Sequence, residues 1–247
     1  CEIAMKRSSG DVIFSTENAM EFSSRAKGES IEDTIRILCG YRPDVIVYRS
    51  RDEGMVKRAA AFSSVPIINA GDGPGEHPTQ ALLDLYTIAK EKGQINDVSI
   101  AMCGDLANGR TVRSLSRLLT KFRGIKIYFI SPEVVRMRND VKEELKKHNI
   151  WFNEGNNLKE VVPLVDVIYQ TRVQKERASI IVSHGERFFK IDQEILNLMK
   201  KDAIIMHPLP RVGEITTEVD NDPRAAYFRQ AENGLYVRMA LLKMILT

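Results

Sequence analysis

The 247-residue sequence is poor in cysteine and lacks any long apolar run, and each shortage excludes a class of protein. Cys1, Cys39 and Cys103 are odd in number and form no CxxC pair, which argues against a disulfide framework or a zinc motif. Cys39 and Cys103 have apolar neighbours, which predicts buried, reduced thiols. No apolar stretch approaches the ~18 residues of a transmembrane helix, and no signal-peptide pattern opens the chain. We therefore expect a soluble, cytoplasmic protein.

The chain also lacks an excess of charge of either sign. Its 36 basic and 33 acidic groups give a net charge of +3, so any cationic site must be local. This balance gives no reason to expect nucleic acid or a membrane surface as a partner. Because 43% of the residues are hydrophobic, the chain can bury the core of one large or two medium domains.

Short apolar, β-branched runs alternate with longer segments of helical periodicity, as in βαβ units with parallel sheets. The predicted strands are Val12–Phe14, Asp44–Tyr48, Val65–Asn69, Val98–Cys103, Ile125–Ile130, Ile150–Phe152, Asp166–Tyr169 and Ala203–Met206. The predicted helices are Ile31–Cys39, Gly54–Phe62, Pro78–Glu91, Thr111–Lys121, Glu133–Lys147, Asp192–Lys200 and Ala231–Leu246. A break after about residue 92 predicts two doubly wound α/β domains, with the last helix returning to one of them.

Five polar clusters follow predicted strands directly, at the edge where open parallel sheets bind ligands. Their members are Arg49 and Arg51; His77 and Gln80; Arg110; Arg172, Gln174, Lys175 and Arg177; and His207, Leu209, Pro210 and Arg211. Arginine presents a planar fork that suits carboxylate and phosphate, and the clusters contain few acids. They therefore predict a strongly anionic ligand, or two, and no magnesium site.

Each cluster also has a simpler interpretation. A single arginine after a strand is more often a solvated loop residue or a surface ion pair, and His77 alone could be a capping or core histidine. Five clusters at equivalent positions favour a shared site.

Two glycine-rich segments resemble nucleotide-binding loops. "GDLANGRT" (104–111) has P-loop spacing, but Arg110 stands where that loop requires lysine. "GDGPGE" (71–76) has the wrong final spacing for a Rossmann fingerprint. Neither segment predicts a nucleotide enzyme.

Four segments together resemble the aspartate carbamoyltransferase family: "HPTQALLDLYTI", "GDLANGRTVRSL", "TRVQKER" and "HPLPRVGEI". "KGESIEDT" (27–34) is similar to the mobile loop of that family. Ornithine carbamoyltransferases typically carry cysteine at the positions of Thr79 and Pro208, so the resemblance favours aspartate. It implies the carbamoyltransferase fold, two doubly wound parallel-sheet domains: 1–90 for carbamoyl phosphate, joined by the helix 231–247, and 91–230 for aspartate.

The resemblance also implies residue roles. His77, Arg49 and Lys27 would be catalytic. Carbamoyl phosphate would contact Arg49, His77, Gln80, Leu209 and Pro210. Aspartate would contact Lys27, Arg110, Arg172 and Gln174, and the neighbouring subunit of a homotrimer would supply Ser23 and Lys27. The implied reaction gives N-carbamoyl-L-aspartate and phosphate, a step of pyrimidine biosynthesis. It requires no metal, covalent intermediate or organic cofactor, and the resemblance leaves open whether a regulatory chain binds.

The beginning of the chain departs from the family pattern. The Ser-Thr-Arg-Thr-Arg motif that grips phosphate is absent, and "CEIAMKR" is similar to the helix that follows it. We therefore expect a first domain truncated at its N-terminus and a chain of impaired activity. The alternative is a catalytically inactive paralogue with an oligomeric or regulatory role; the matching ligand positions favour the truncated enzyme.

Overall fold

The structure is a computed structural model that describes residues 1–13, 28–172 and 189–247. The chain divides into two compact units, residues 1–79 with 234–247 and residues 80–233. The described helices are α1 (Glu2–Arg7), α2 (Ile31–Gly40), α3 (Met55–Ala61), α4 (Pro78–Lys92), α5 (Arg110–Leu119), α6 (Asn139–Lys147), α7 (Leu158–Val161), α8 (Gln193–Leu198) and α9 (Tyr227–Leu246). The strands are β1 (Ile46–Ser50), β2 (Ile67–Asp72), β3 (Ser99–Cys103), β4 (Lys126–Ile130), β5 (Trp151–Gly155), β6 (Val167–Gln170) and β7 (Ile204–Met206).

In the first unit, β1 and β2 form a parallel pair that begins at Ile46 opposite Ile67. One apolar cluster joins Ile31 and Ile35 of α2 to Ala59 of α3. A second joins α1, β2 and the C-terminal part of α9. Helix α2 begins where the Ser30 side chain accepts a hydrogen bond from Asp33 N–H at 3.1 Å, as an N-cap serine does.

The second unit is built on a five-stranded parallel sheet with the strand order β5-β4-β3-β6-β7. Alternate residues of each strand face opposite sides. Ile100 and Met102 pack with residues of α4, α5 and α6, whereas Ala101 and Cys103 pack with residues of α7 and α8. Helices therefore cover both faces, which makes this a doubly wound α/β unit. The predicted class, parallel-sheet α/β in two parts, is confirmed.

Most predicted elements are present with ends displaced by a few residues. The predicted helix over 133–147 was wrong in its first half, which is a 3₁₀ turn at Glu133–Val135 followed by an extended segment. Helix α9 begins at Tyr227, earlier than predicted, and the short α7 was not predicted. Residues 12 and 13 are not in a strand, and residue 14 lies outside the described ranges. Within the described ranges, no helix is both long and apolar enough to cross a membrane.

Candidate functional site

Arg49 and His77 belong to the first unit and lie at the carboxyl ends of its parallel strands, although Arg49, predicted to follow its strand, is still part of it. Arg49 is the next-to-last residue of β1 and its side chain is exposed, whereas His77 is half-buried and directly precedes α4. The Nδ1 atom of His77 lies 3.4 Å from the Thr79 hydroxyl. Pro78 as the first residue of α4 fixes where the helix starts, because it needs no partner for a backbone N–H.

The loops after β1 and β2 are joined by the carboxylate of Asp72. Its Oδ2 accepts a hydrogen bond from Gly54 N–H at 2.9 Å and its Oδ1 accepts one from Val56 N–H at 3.3 Å, at the beginning of α3. Gly73 has φ +51, and a Cβ there would lie 2.5 Å from the carbonyl oxygen of Arg51. The glycines of "GDGPGE" therefore allow two loops to approach closely, which explains the motif without a dinucleotide.

In the second unit, Arg110 and Arg172 follow two neighbouring strands, β3 and β6. The strand order reverses between these strands, and this switch point is where doubly wound sheets bind ligands. Arg110 is the first residue of α5 and is half-buried; Arg172 is exposed. Thr171 donates from its backbone N–H and its hydroxyl to the carbonyl oxygen of Cys103, at 2.8 and 3.0 Å.

The "GDLANGRT" segment is not a phosphate cradle. The backbone N–H groups of Leu106 and Ala107 donate to the carbonyl oxygen of Val135 at 3.1 and 3.0 Å. The buried carboxylate of Asp105 accepts from the backbone and side chain of Asn108 at 3.1 and 2.9 Å. A P-loop directs its N–H groups at phosphate, whereas those of Leu106, Ala107 and Asn108 are used within the protein. The segment therefore resembles a P-loop only in the spacing of its glycines.

Leu209 and Pro210 lie in the loop after β7, and buried His207 holds that loop. Its Nδ1 accepts from Leu209 N–H at 2.8 Å, and its Nε2 lies 2.7 Å from the Glu214 carboxylate. With Nδ1 as acceptor, the ring proton is on Nε2 and donates to Glu214. Burial raises the pKa of Glu214, but hydrogen bonds from His207 and Val212 N–H outweigh it and leave the pKa below its ordinary value. The peptide bond between Leu209 and Pro210 is cis.

Arg211, which the sequence grouped with the anion-binding clusters, is engaged within the protein. Its two terminal nitrogens each lie 2.5 Å from a carboxylate oxygen of Asp220. The Tyr227 hydroxyl lies 3.1 Å away, and the guanidinium lies 5.3 Å from the centre of that ring. The fork that would bind a ligand is occupied by Asp220, so for Arg211 the simpler interpretation, a structural ion pair, holds.

Gln80 is the first residue of the second unit and is buried on α4. Its amide nitrogen donates to the Asp84 carboxylate at 2.9 Å. Asp84 was not predicted from the sequence. The motif nevertheless contains a sign of this contact, because an acid lies four residues after Gln80 on a helix whose neighbouring positions are leucines.

Three predicted site residues have no structural description. Ser23 and Lys27, assigned to the neighbouring subunit's loop, and Gln174, assigned to aspartate, lie outside the described ranges, as do Lys175 and Arg177. Their roles stay predictions.

The expectation of two buried thiols is half right. Cys103 is fully buried, and burial raises its pKa. Cys39 is only half-buried on α2, with its Sγ 3.5 Å from the Ser63 hydroxyl, because its helix position faces the edge of its cluster.

These features describe a doubly wound α/β protein with cations at the carboxyl ends of parallel strands, the usual place for an anionic ligand. Two family descriptions match almost the whole chain: "Aspartate/ornithine carbamoyltransferase, carbamoyl-P binding domain" over residues 1–90, and "Aspartate/ornithine carbamoyltransferase, Asp/Orn binding domain" over residues 96–245. The chain belongs to the aspartate/ornithine carbamoyltransferase family.

Similar proteins carry the name of one branch of that family. The chain is 56% identical to the chloroplastic aspartate carbamoyltransferase of Arabidopsis thaliana, across 99% of the chain and 63% of the relative. It is 48% identical to the aspartate carbamoyltransferase catalytic subunit of Methanocaldococcus jannaschii, across 99% of the chain and 79% of the subunit. The chain thus spans just under two thirds of the Arabidopsis relative.

A solved structure has the same fold. Aspartate transcarbamoylase from Trypanosoma cruzi, crystallised with carbamoyl aspartate and phosphate, matches with a TM-score of 0.91 at 41% identity, across 100% of this chain and 78% of that one. Other crystals of the T. cruzi enzyme contain carbamoyl phosphate, or aspartate with phosphate.

Proposed function

We propose that the protein transfers the carbamoyl group of carbamoyl phosphate to L-aspartate, giving N-carbamoyl-L-aspartate and phosphate. The observation that carries the proposal is the pair of motifs at His77–Gln80 and His207–Pro210. Thr79 and Pro208 stand in them where ornithine carbamoyltransferases typically carry cysteine. The ligands of the T. cruzi crystals support the same choice of substrate.

The proposed chemistry is an acyl transfer without a covalent enzyme intermediate. The aspartate amine attacks the carbonyl carbon, a C–N bond forms, and the carbonyl oxygen becomes an oxyanion. The carbonyl re-forms as the bond to the phosphate oxygen breaks, phosphate leaves with the electron pair, and the proton that the amine loses passes to the leaving phosphate. His77 and Arg49 donate hydrogen bonds to the oxyanion, each worth about 2.7–4 kcal/mol in comparable sites.

The contact between Thr79 and His77 suits this role. If the Thr79 hydroxyl donates to Nδ1, the ring proton lies on Nε2, and that N–H is the donor for the oxyanion. A cysteine at this position would be a weaker donor. With that direction of the hydrogen bond, Thr79 favours the tautomer that the proposal requires.

The proposal assigns the aspartate carboxylates to Arg110, Arg172 and Gln174. Arg110 and Arg172 follow adjacent strands at the switch point of one sheet, so a dicarboxylate there would meet two guanidinium groups. The carbonyl oxygens of Leu209 and Pro210 would orient the reacting amines, and Lys27 would contact aspartate as well.

We also propose a homotrimer in which Ser23 and Lys27 come from the neighbouring subunit; whether a regulatory chain also binds stays open. Light scattering of the purified protein tests the trimer. A cytoplasmic location is proposed from composition alone. Because the Arabidopsis relative is named chloroplastic, a fluorescent fusion to the full-length protein is the appropriate test.

Two substitutions in the full-length protein test the assigned roles. His77→Ala should lower kcat about 100-fold or more and leave the KM for aspartate nearly unchanged, since it removes an oxyanion donor. Arg172→Ala should raise the KM for aspartate about tenfold or more, since it removes a charged hydrogen bond to a carboxylate.

Arg136→Ala is the matched control for charge. Arg136 is an exposed arginine of the second unit that pairs with Glu133 at 3.5 Å, and its removal should change neither constant. Equal effects of the His77 and Arg172 substitutions on aspartate KM would refute the roles. An unsubstituted protein without transfer activity would favour the inactive paralogue.

A further inference from the structure

Asp84 is a buried carboxylate at the centre of a hydrogen-bond network in the second unit. Its side chain has no exposed surface. Its Oδ1 accepts from the amide nitrogens of Gln80 at 2.9 Å and Gln230 at 2.6 Å, and its Oδ2 accepts from the Tyr169 hydroxyl at 2.8 Å. A buried charge is costly unless it is paired or hydrogen-bonded, and these donors offset that cost.

The network continues from Asp84 to the loop after β7. The carbonyl oxygen of the Gln230 side chain accepts from the backbone N–H of His207 at 2.8 Å, and the His207 ring accepts from Leu209 N–H. A carboxylate only accepts, so the Gln230 amide must direct its nitrogen to Asp84 and its oxygen to His207. A continuous chain of hydrogen bonds thus joins Gln80 on α4 to the backbone of Leu209.

The same constraint orients the Gln80 side chain. Because its nitrogen faces the carboxylate, its carbonyl oxygen is fixed on the other side of the amide plane. Tyr169 contributes from β6: burial, followed by the charge of Asp84, raises its pKa well above the ordinary value, so its hydroxyl keeps the proton that it donates.

We propose that Asp84 is a positioning residue that holds the Gln80 amide and, through Gln230 and His207, the Leu209–Pro210 carbonyls in the arrangement that receives the carbamoyl group. The proposal rests on the proposed function, which assigns these groups to carbamoyl phosphate. Asp84 itself need not touch the substrate.

The chain offers a matched control one helical turn further along. Thr87 of α4 accepts from the Asn233 amide of α9 at 3.1 Å, just as Asp84 accepts from Gln230. Both residues of this second link are buried, and no described hydrogen bond connects them to Gln80 or to the β7 loop. Thr87→Val therefore removes a polar link between the same two helices without disturbing the proposed network.

The experiment measures both KM values and the melting temperature of the full-length protein and of three variants. Asp84→Leu should raise the KM for carbamoyl phosphate about tenfold to 100-fold, because it leaves Gln80 and Gln230 without their acceptor. Asp84→Asn should recover most of that loss, because its oxygen can serve both amides and its N–H can donate to the Tyr169 hydroxyl. Thr87→Val should lower the melting temperature and leave both KM values within about twofold.

If Asp84→Leu does not fold, Gln230→Met is measured instead. It removes the hydrogen bonds of Gln230 to Asp84 and to His207 and keeps a similar side-chain volume. A raised KM for carbamoyl phosphate supports the proposal. An unchanged KM in folded variants, or an equal rise with Thr87→Val, overturns it. If the unsubstituted protein transfers no carbamoyl group, the proposed function is refuted and this inference with it. If the unsubstituted protein is active and Asp84→Leu leaves the KM for carbamoyl phosphate unchanged, only the inference is refuted.

Discussion

Substituting Gly104 with alanine should show how much the close approach of the segments after β3 and β6 adds to the cost of a positive φ. Gly104 follows β3 with φ +114, and a Cβ there would lie 2.5 Å from both the carbonyl oxygen and the hydroxyl of Thr171. A positive φ costs a non-glycine residue about 1–2 kcal/mol. Forcing in an atom at this distance adds about 1–3 kcal/mol of overpacking. Gly104→Ala should therefore destabilise the protein by about 2–5 kcal/mol.

Gly93 provides the matched control. It also has a positive φ, +75, but a Cβ added there would have no atom within 4 Å, so Gly93→Ala should cost only the backbone part, about 1–2 kcal/mol. Urea unfolding of both variants gives the two free energies. Because Thr171 must move, Gly104→Ala should also raise the KM for aspartate through its neighbour Arg172. Equal destabilisation by the two substitutions, with no change in KM, would refute the close-approach reasoning.

Two further predictions concern local stability. The pKa of Glu214 is lower in the folded protein than its ordinary 4.5, so its ionised form stabilises the fold above that pH and the contribution is lost as pH falls through the folded value. Glu214→Gln should therefore weaken the loss of stability towards urea as the pH falls below 4.5, and an unchanged loss would contradict this. Asp192 caps α8 by accepting hydrogen bonds from Glu194 and Ile195 N–H at 3.0 and 3.2 Å. Asp192→Ala should lower the free energy of unfolding by about 0.5–2 kcal/mol, and Asp192→Asn by much less, because asparagine also caps helices. Equal losses from the two substitutions would argue against capping.

The sequence predicted the sheet edges well because strand runs and their flanking polar residues are local features. Strand β3 is apolar from Ile100 to Cys103 and buried throughout, as expected for a strand covered on both faces. Arg110 and Arg172 were predicted as site residues because each lies just past such a strand. Their convergence is a consequence of strand order, which places β3 beside β6.

Features that depend on tertiary contacts were not predictable. The helix expected from residue 133 stops at Val135 because its carbonyl oxygen accepts from Leu106 and Ala107 N–H, partners distant in sequence. The local sequence of Arg211 is that of an anion-binding arginine, because its partner Asp220 contacts the guanidinium only in the folded protein. Asp84 has the local sequence of an ordinary helical acid, because the convergence of Tyr169 and Gln230 on it is a tertiary contact.

A carbamoyl transfer assay on the full-length protein, with carbamoyl phosphate and either L-aspartate or L-ornithine, tests both the activity and the substrate. We expect carbamoyl aspartate and phosphate in equal amounts, and no product from ornithine. Transfer to ornithine would contradict the substrate assignment made from Thr79 and Pro208, and absence of transfer to either amine would contradict the proposed activity.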